Sequence, residues 1–273
     1  MAAGNSLFAS LFPGNCRLCN APLARIGRIP VCDVCQRAIH RLQGSVCSSC
    51  GERLLGEPAP ERRCLECIRF ARPFARAVAY GSYEGELRAV IHLLKYQRVR
   101  PAAAVLGRML AESVAGLLEE SVDGSTMVIP IPLHRTKQRQ RGFNQTELIA
   151  RAMLEHLSAP GLKLEASVLR RSRMTESQTG LTRAQRRRNV RGAFAVQSPD
   201  AIAGRDILLV DDVFTTGTTV SECARLLQRA GAARVRVATV ARVIRREAAF
   251  IQVREQPARK SEPAELLARA AEA

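Results

Sequence analysis

The sequence of 273 residues contains no tryptophan, and aromatic residues make up only 4% of it. A surface built on aromatic base-stacking platforms is therefore not expected. No uninterrupted apolar stretch approaches the ~18 residues that a membrane-crossing helix needs, so no membrane span is expected. The first fifteen residues lack a cationic start and a long apolar segment; no cleaved signal peptide is expected, and the reading is cytoplasmic. Acidic residues are few, 25 against 42 Lys and Arg, for a formal net charge of +17. Part of that excess should line an anionic-ligand site. The surplus fits either nucleic-acid affinity, held through phosphates and weakening with salt, or the Arg-rich usage of a GC-rich genome. An apolar content of 47% argues against global disorder, and the length suits one large domain or two small ones.

The most informative stretch is Leu209-Val-Asp-Asp-Val-Phe-Thr-Thr-Gly-Thr-Thr219. Residues 207–210 are all apolar, as a parallel strand covered on both faces requires. Asp211 and Asp212 follow at its carboxyl end, where open α/β sheets bind their ligands. Thr215, Thr216, Gly217, Thr218 and Thr219 then open a helix whose apolar residues recur at Val220, Cys223, Ala224 and Leu227. Free N–H groups at that helix start, a glycine that permits close approach and several hydroxyls suit a phosphate. Carboxylates beside such a cradle would repel phosphate, so they should serve ribose hydroxyls or a hard cation. A ribose 5-phosphate satisfies both halves.

Eight of the nine cysteines form four Cys-x-x-Cys pairs: Cys16/Cys19, Cys32/Cys35, Cys47/Cys50 and Cys64/Cys67. Eight thiolates suit two closed tetrahedral zinc sites of structural type. A consecutive pairing, Cys16/19/32/35 and Cys47/50/64/67, is favoured over a cross-braced one. A segment of ~50 residues has little core of its own, so metal should supply much of its folding free energy. Chelation is then expected to unfold the first ~70 residues and largely spare the remainder. Cys223, on the apolar helix face, reads as a packing residue.

Along the rest of the chain, strands are expected at 74–84, 127–132, 165–170, 192–196, 206–211 and 234–242. Helices are expected at 85–97, from Pro101 to about 119, and at 147–157. The alternation predicts an α/β fold with a doubly wound, mostly parallel sheet behind a small zinc-ribbon module of four-cysteine sites. The expected division is a zinc-binding segment over 1–70, the α/β domain over 71–246 and a polar tail over 247–273.

The run 210–219 resembles the phosphoribosyl-pyrophosphate (PRPP) signature of type I phosphoribosyltransferases. Val128-Ile-Pro-Ile-Pro-Leu-His134 followed by Arg139-Gln-Arg-Gly-Phe-Asn-Gln145 resembles the pyrophosphate-loop region of the ComF (ComFC-type) competence proteins. Thr175, Gln178, Gly180, Leu181, Arg186 to Asn189 and Gly192-Ala-Phe194 look like that family's variable flap, and the cysteine pairs match its double zinc ribbon.

The resemblance implies a type I phosphoribosyltransferase-like domain that binds PRPP with Mg²⁺. Asp211 and Asp212 would hold ribose hydroxyls, Thr215 to Thr219 the 5-phosphate, and a basic loop containing Arg139 and Arg141 the pyrophosphate. These two rank above Arg135 and Lys137, which lie in the same charge run. Lys95 and Tyr96 match a family Lys-Tyr pair, with Lys95 a candidate phosphate contact. Arg170, Arg171, Arg173, Arg183 and Arg186 to Arg188 would belong to a hood over the acceptor. His134 and His92 read as hydrogen-bonding or packing residues, and Asn144 as a helix cap. Two functions follow: a transferase moving ribose 5-phosphate onto an unidentified nitrogen nucleophile, or a competence protein handling incoming single-stranded DNA. The second implies a helicase or a DNA-uptake channel as partner. No N-terminal cysteine suits a glutamine amidotransferase half, so glutamine-derived ammonia is disfavoured.

Overall fold

The computed structural model describes residues 14–23, 29–56, 61–118, 125–157, 159, 161–175 and 182–244. Gln178, Gly180, Leu181 and the segment 247–273 lie outside the described residues, as does the side chain of Arg183.

Five strands form one parallel sheet: β1 (Arg76–Ser82), β2 (Thr126–Pro130), β3 (Leu162–Leu164), β6 (Asp206–Phe214) and β7 (Arg234–Arg242), in the order β1-β7-β6-β2-β3. The apolar run at 207–210 divides between two layers, as a period of two requires. Ile207 and Leu209 join one core with Ile129, Val235 and Val237, while Leu208 and Val210 join the other with Val128, Ala238 and Val240. On the second of these faces pack α3 (Gly85–Tyr96), α4 (Ala102–Leu118) and α6 (Gln145–His156). Helices α4 and α6 meet at Gly107, where a Cβ would lie 2.5 Å from the Ala152 Cβ. The opposite face carries α8 (Pro199–Ile202), α9 (Thr218–Arg229) and a two-stranded antiparallel ribbon, β4 (Leu169–Arg171) with β5 (Phe194–Val196).

The chain leaves β2 through α6 toward β3, and leaves β6 through α9 toward β7 on the other side. Strands β2 and β6 are neighbours whose connections diverge in direction and face, which opens a crevice at their carboxyl ends. Strand β6 runs three residues beyond the 211 limit expected from sequence. Asp211, Val213 and Phe214 still pair with Thr239, Ala241 and Arg242, whereas pairing to β2 stops at Pro130 and Val210. One side of the Asp pair is thereby held by a ladder and the other is open.

Two local expectations are corrected. The basic run after β2 is helical, α5 (Arg135–Arg141), and not a loop; His134 Nδ1 accepts from the Thr136 N–H at 3.3 Å, and Gly142 ends it at φ +85°. Of the strand expected at 165–170, only 169–170 is extended, as part of β4; β3 lies just before that range and belongs to a different sheet.

The cysteine segment packs on the sheet. The Ala77 N–H donates to the Ser49 carbonyl at 2.8 Å, and the Leu42 N–H donates to the Tyr80 carbonyl at 2.7 Å, so the free edge of β1 is covered. Among the described residues, no helix is long and apolar enough to cross a membrane.

Candidate active site and metal centres

A cavity of about 410 Å³ lies at the carboxyl ends of β2 and β6. Its lining includes Asp211, Asp212, Thr215, Gly217, Thr218 and Thr219, with Lys95, Lys137, Arg141, Arg171 and Arg186 around them. The two aspartates have different surroundings. Asp212 is buried, with both oxygens engaged: Lys95 Nζ donates to Oδ1 and Gln145 Nε2 to Oδ2, each at 2.7 Å. Burial works against the charge on Lys95, but the Asp212 carboxylate outweighs it and holds the ammonium pKa above its ordinary value. Arg141 in turn donates to the Gln145 side-chain carbonyl, so Arg141, Gln145, Asp212 and Lys95 form one network.

Among the described residues, Asp211 accepts only the Asp212 N–H, at 2.9 Å. Burial, and then the neighbouring Asp212 charge, push its carboxyl up to about 7. Asp211 thus keeps acceptor capacity unused at the cavity wall, whereas Asp212 organises the cations.

The turn after β6 holds Gly217 at φ +73°, where a Cβ would stand 2.4 Å from the Phe214 ring. Only glycine fits there, on grounds of both backbone conformation and space. The Thr216 and Thr218 hydroxyls bond each other at 2.7 Å. Thr216 does not line the cavity; it lies on the far wall of the turn, in a second groove.

Helix α5 separates its cations by face. Lys137 and Arg141, four residues apart, line the cavity, while Arg135 and Arg139 line a separate surface depression with Gln138 and Gly142. Arg139 is therefore not brought to Asp211, and Lys137 takes the place that sequence gave it. Burial, with Arg171 and Arg141 nearby, lowers the Lys137 pKa. Arg171, on β4, donates to the Thr175 hydroxyl and lies over the Phe194 ring at 5.2 Å. Gln145 was missed as a site residue because nothing in its local sequence signals a partner 67 residues away.

The cysteines group consecutively. In Cys16/Cys19/Cys32/Cys35, and again in Cys47/Cys50/Cys64/Cys67, the sulfurs lie within 4.8 Å of one another. The two groups repeat one design. Each opens with a tight knuckle, closed by Asn20 at φ +61° or Gly51 at φ +70°, and each takes its second pair from the start of a short helix, α1 (Asp33–Arg37) or α2 (Leu65–Arg69). The Cys32 N–H donates to Cys16 Sγ at 3.3 Å and the Cys64 N–H to Cys47 Sγ at 3.3 Å. Four converging sulfurs with N–H donors, which favour thiolate, fit a closed tetrahedral site; both clusters could hold zinc.

Residues 148–254 match the phosphoribosyl transferase domain family. The chain is 34% identical over 235 residues to the DNA utilization protein YhgH of Salmonella typhimurium, covering 85% of this chain and 98% of that protein. It is 28% identical over 235 residues to competence protein F of Haemophilus influenzae, covering 85% and 99% respectively. Competence protein ComFC of Bacillus subtilis is 23% identical over 209 residues, 74% of this chain and 80% of that one.

The chain belongs to the ComF family. The parallel α/β fold of this ComF protein is that of a phosphoribosyltransferase domain, and its cysteine clusters are compatible with a zinc-ribbon module. Its remaining candidates have local roles. His134 caps α5. His92 bonds the Tyr83 hydroxyl at 3.0 Å, with burial lowering its pKa. Asn144 caps α6 and donates to the Ile131 carbonyl at 3.1 Å. Cys223 is fully buried among apolar side chains, which pushes its thiol well up.

Proposed function

We propose that this ComF protein binds PRPP with Mg²⁺ in the β2–β6 cavity and takes part in handling single-stranded DNA in the cytoplasm. The observation that carries the PRPP reading is the split Asp pair beside a glycine turn and a ring of cations. Asp211 accepts ribose hydroxyls, and the N–H groups of the turn with the hydroxyls of Thr215, Thr218 and Thr219 hold the 5-phosphate. Arg141, Lys137 and Arg171 face the diphosphate. When bound, Mg²⁺ neutralises part of the diphosphate charge and favours its departure. Replacing Asp211 and Asp212 together by alanine is expected to abolish micromolar Mg–PRPP binding in calorimetry; retained affinity in a folded, zinc-loaded variant would sink the assignment.

A transferase reading rests on the same cavity, since Arg171 of β4 and Arg186, from the segment between β4 and β5, both line it. An acceptor nitrogen would bond to C1 of the ribose as the C1–O bond breaks, and pyrophosphate would leave with the electron pair.

The DNA reading draws on a second groove of about 730 Å³, between α2, α7 (Arg183–Val190) and α9. Arg187, Arg188, Arg191, Arg225 and Arg229 line it, beside Phe70, which is 52% exposed. The relatives named for DNA utilization and competence support this reading, as does the net charge. A helicase or DNA-uptake channel is the partner class it implies. Eight unpaired thiols in metal-binding arrangement suit a reducing compartment. Single-stranded DNA affinity is expected to fall steeply between about 50 and 200 mM salt, with little dependence on base sequence. Fluorescence anisotropy with oligonucleotides checks this; a flat salt response would exclude binding through phosphates.

A further inference from the structure

The second cysteine cluster and the glycine turn share one face of the sheet, and two arginines span the distance between them. Arg72, five residues past Cys67, lies near the Cys67 and Cys50 sulfurs, whose negative charge would hold its guanidinium, and donates to the Thr216 carbonyl at 3.4 Å. It also pairs with Glu66 at 3.6 Å. Arg242, at the end of β7, donates to the Cys50 carbonyl and pairs with Glu52 at 2.6 Å, with both side chains buried. Its guanidinium lies 4.7 Å from the centroid of Phe214, the ring that packs against Gly217. The turn 214–217 is therefore touched at both ends by a guanidinium whose other bonds belong to the second ribbon.

This arrangement is costly. Among the described residues, the Nε of each arginine is buried without a hydrogen-bond partner, which an apolar side chain at either position would avoid. Four thiolates around a divalent ion keep a net negative charge, so metal binding strengthens the hold on Arg72. Metal also fixes the knuckle whose Cys50 carbonyl receives Arg242. The first cluster contrasts with this. Arg17, beside it, bonds Gln97 at 3.1 Å between exposed side chains, a contact of small energetic value.

We infer that Arg72 and Arg242 are positioning residues through which the second four-cysteine site holds the phosphate-binding turn in its ligand-ready shape. The metal state of that site then sets anion affinity in the cavity. The inference rests on the PRPP reading for its ligand, but not for its geometry.

The test uses full-length, zinc-loaded chain carrying Arg72→Ala, Arg72→Lys, or Arg17→Ala as a charge-matched control. Zinc content, circular dichroism, hydrogen exchange of 213–219 and Mg–PRPP calorimetry are measured on each. Arg72→Ala is expected to retain its zinc, exchange faster in the turn and bind Mg–PRPP about tenfold more weakly. Arg72→Lys should recover part of both losses, and Arg17→Ala should match wild type. Should Arg72→Ala fail to fold, Arg242→Lys keeps a cation for Glu52 but removes the planar group over Phe214, and is expected to show the same faster exchange. Unchanged turn exchange in a zinc-loaded, folded Arg72→Ala or Arg242→Lys overturns the coupling. Absence of Mg–PRPP binding by wild type overturns the cavity assignment instead, and turn exchange alone then decides the coupling.

Discussion

Chelating the metal is expected to lower the unfolding midpoint of the whole protein by about 10–20 °C, in one cooperative step. The cysteine pattern by itself predicts a detachable module whose loss spares the α/β domain. Packing points the other way. Cys16 and Cys35 lie in the same apolar cluster as Leu87, Val90 and Leu106, whereas Cys47, Cys50 and Cys67 join Phe74, Ala77 and Val235 on the opposite face. The two ribbons therefore grip edge strand β1 from both sides. Gly51 fits so closely that a Cβ there would lie 2.8 Å from the Ala77 carbonyl oxygen. Melting either ribbon exposes core surface of the sheet, and melting the second leaves the buried Arg242 without Glu52, a loss of about 3–5 kcal/mol for a broken buried pair. A loss of about 5 kcal/mol moves the midpoint of a 150–250-residue protein by about 10–20 °C. Calorimetric scans with and without chelator check this. Two separate transitions, with the larger one unmoved, would favour an independent ribbon.

The division at 70/71 remains our proposal for where the metal-binding segment ends, but that boundary is not a boundary in the core. Sequence could not reveal this, because the contacts of Ser49 with Ala77 and of Cys50 with Arg242 join residues that carry no mutual signal. What was legible rests on period and spacing. The 207–210 run, the helix face at Val220, Cys223, Ala224 and Leu227, and the four Cys-x-x-Cys units each repeat at a distance that geometry dictates. Helix α5 was not legible, since 135–141 contains no apolar residue to set a period. Read as a helix, its i, i+4 pairs separate Lys137 and Arg141 from Arg135 and Arg139 at once. Strand β3 has three residues and one neighbour, too short to stand out. The different roles of Asp211 and Asp212 arise from Lys95 and Gln145, 117 and 67 residues from Asp212, and adjacency in sequence makes the pair look equivalent.

That asymmetry gives the second large effect, a pH dependence of ligand binding. An unfolded aspartate titrates near 3.9, and Asp211 in the fold is pushed up to about 7 by burial and by Asp212. Between about pH 4 and 7 the folded chain holds more protons than the unfolded one, so this group makes stability fall as pH rises through that window. Ligand binding acts in the opposite direction. Ribose hydroxyls donating to Asp211, or a cation beside it, favour the carboxylate and expel its proton. Mg–PRPP affinity is then expected to rise by up to about tenfold per pH unit below pH ~7 and to level off above it. Calorimetry in buffers of different ionisation enthalpy should find close to one proton released at pH ~6 and almost none at pH ~8. PRPP carries its own titrating phosphates, and the Asp211→Asn variant separates the two contributions, because it keeps the ligand's share and loses the protein's. If wild type and Asp211→Asn gave the same proton count, Asp211 would not be the group that receives the ligand. Asp212→Asn should behave differently again. It removes the carboxylate hydrogen-bonded to Lys95 in a site where only 15% of the lysine side chain is exposed and leaves Asp211 as the nearby counter-charge, so it should destabilise the fold, by up to about 3 kcal/mol, before any ligand is added.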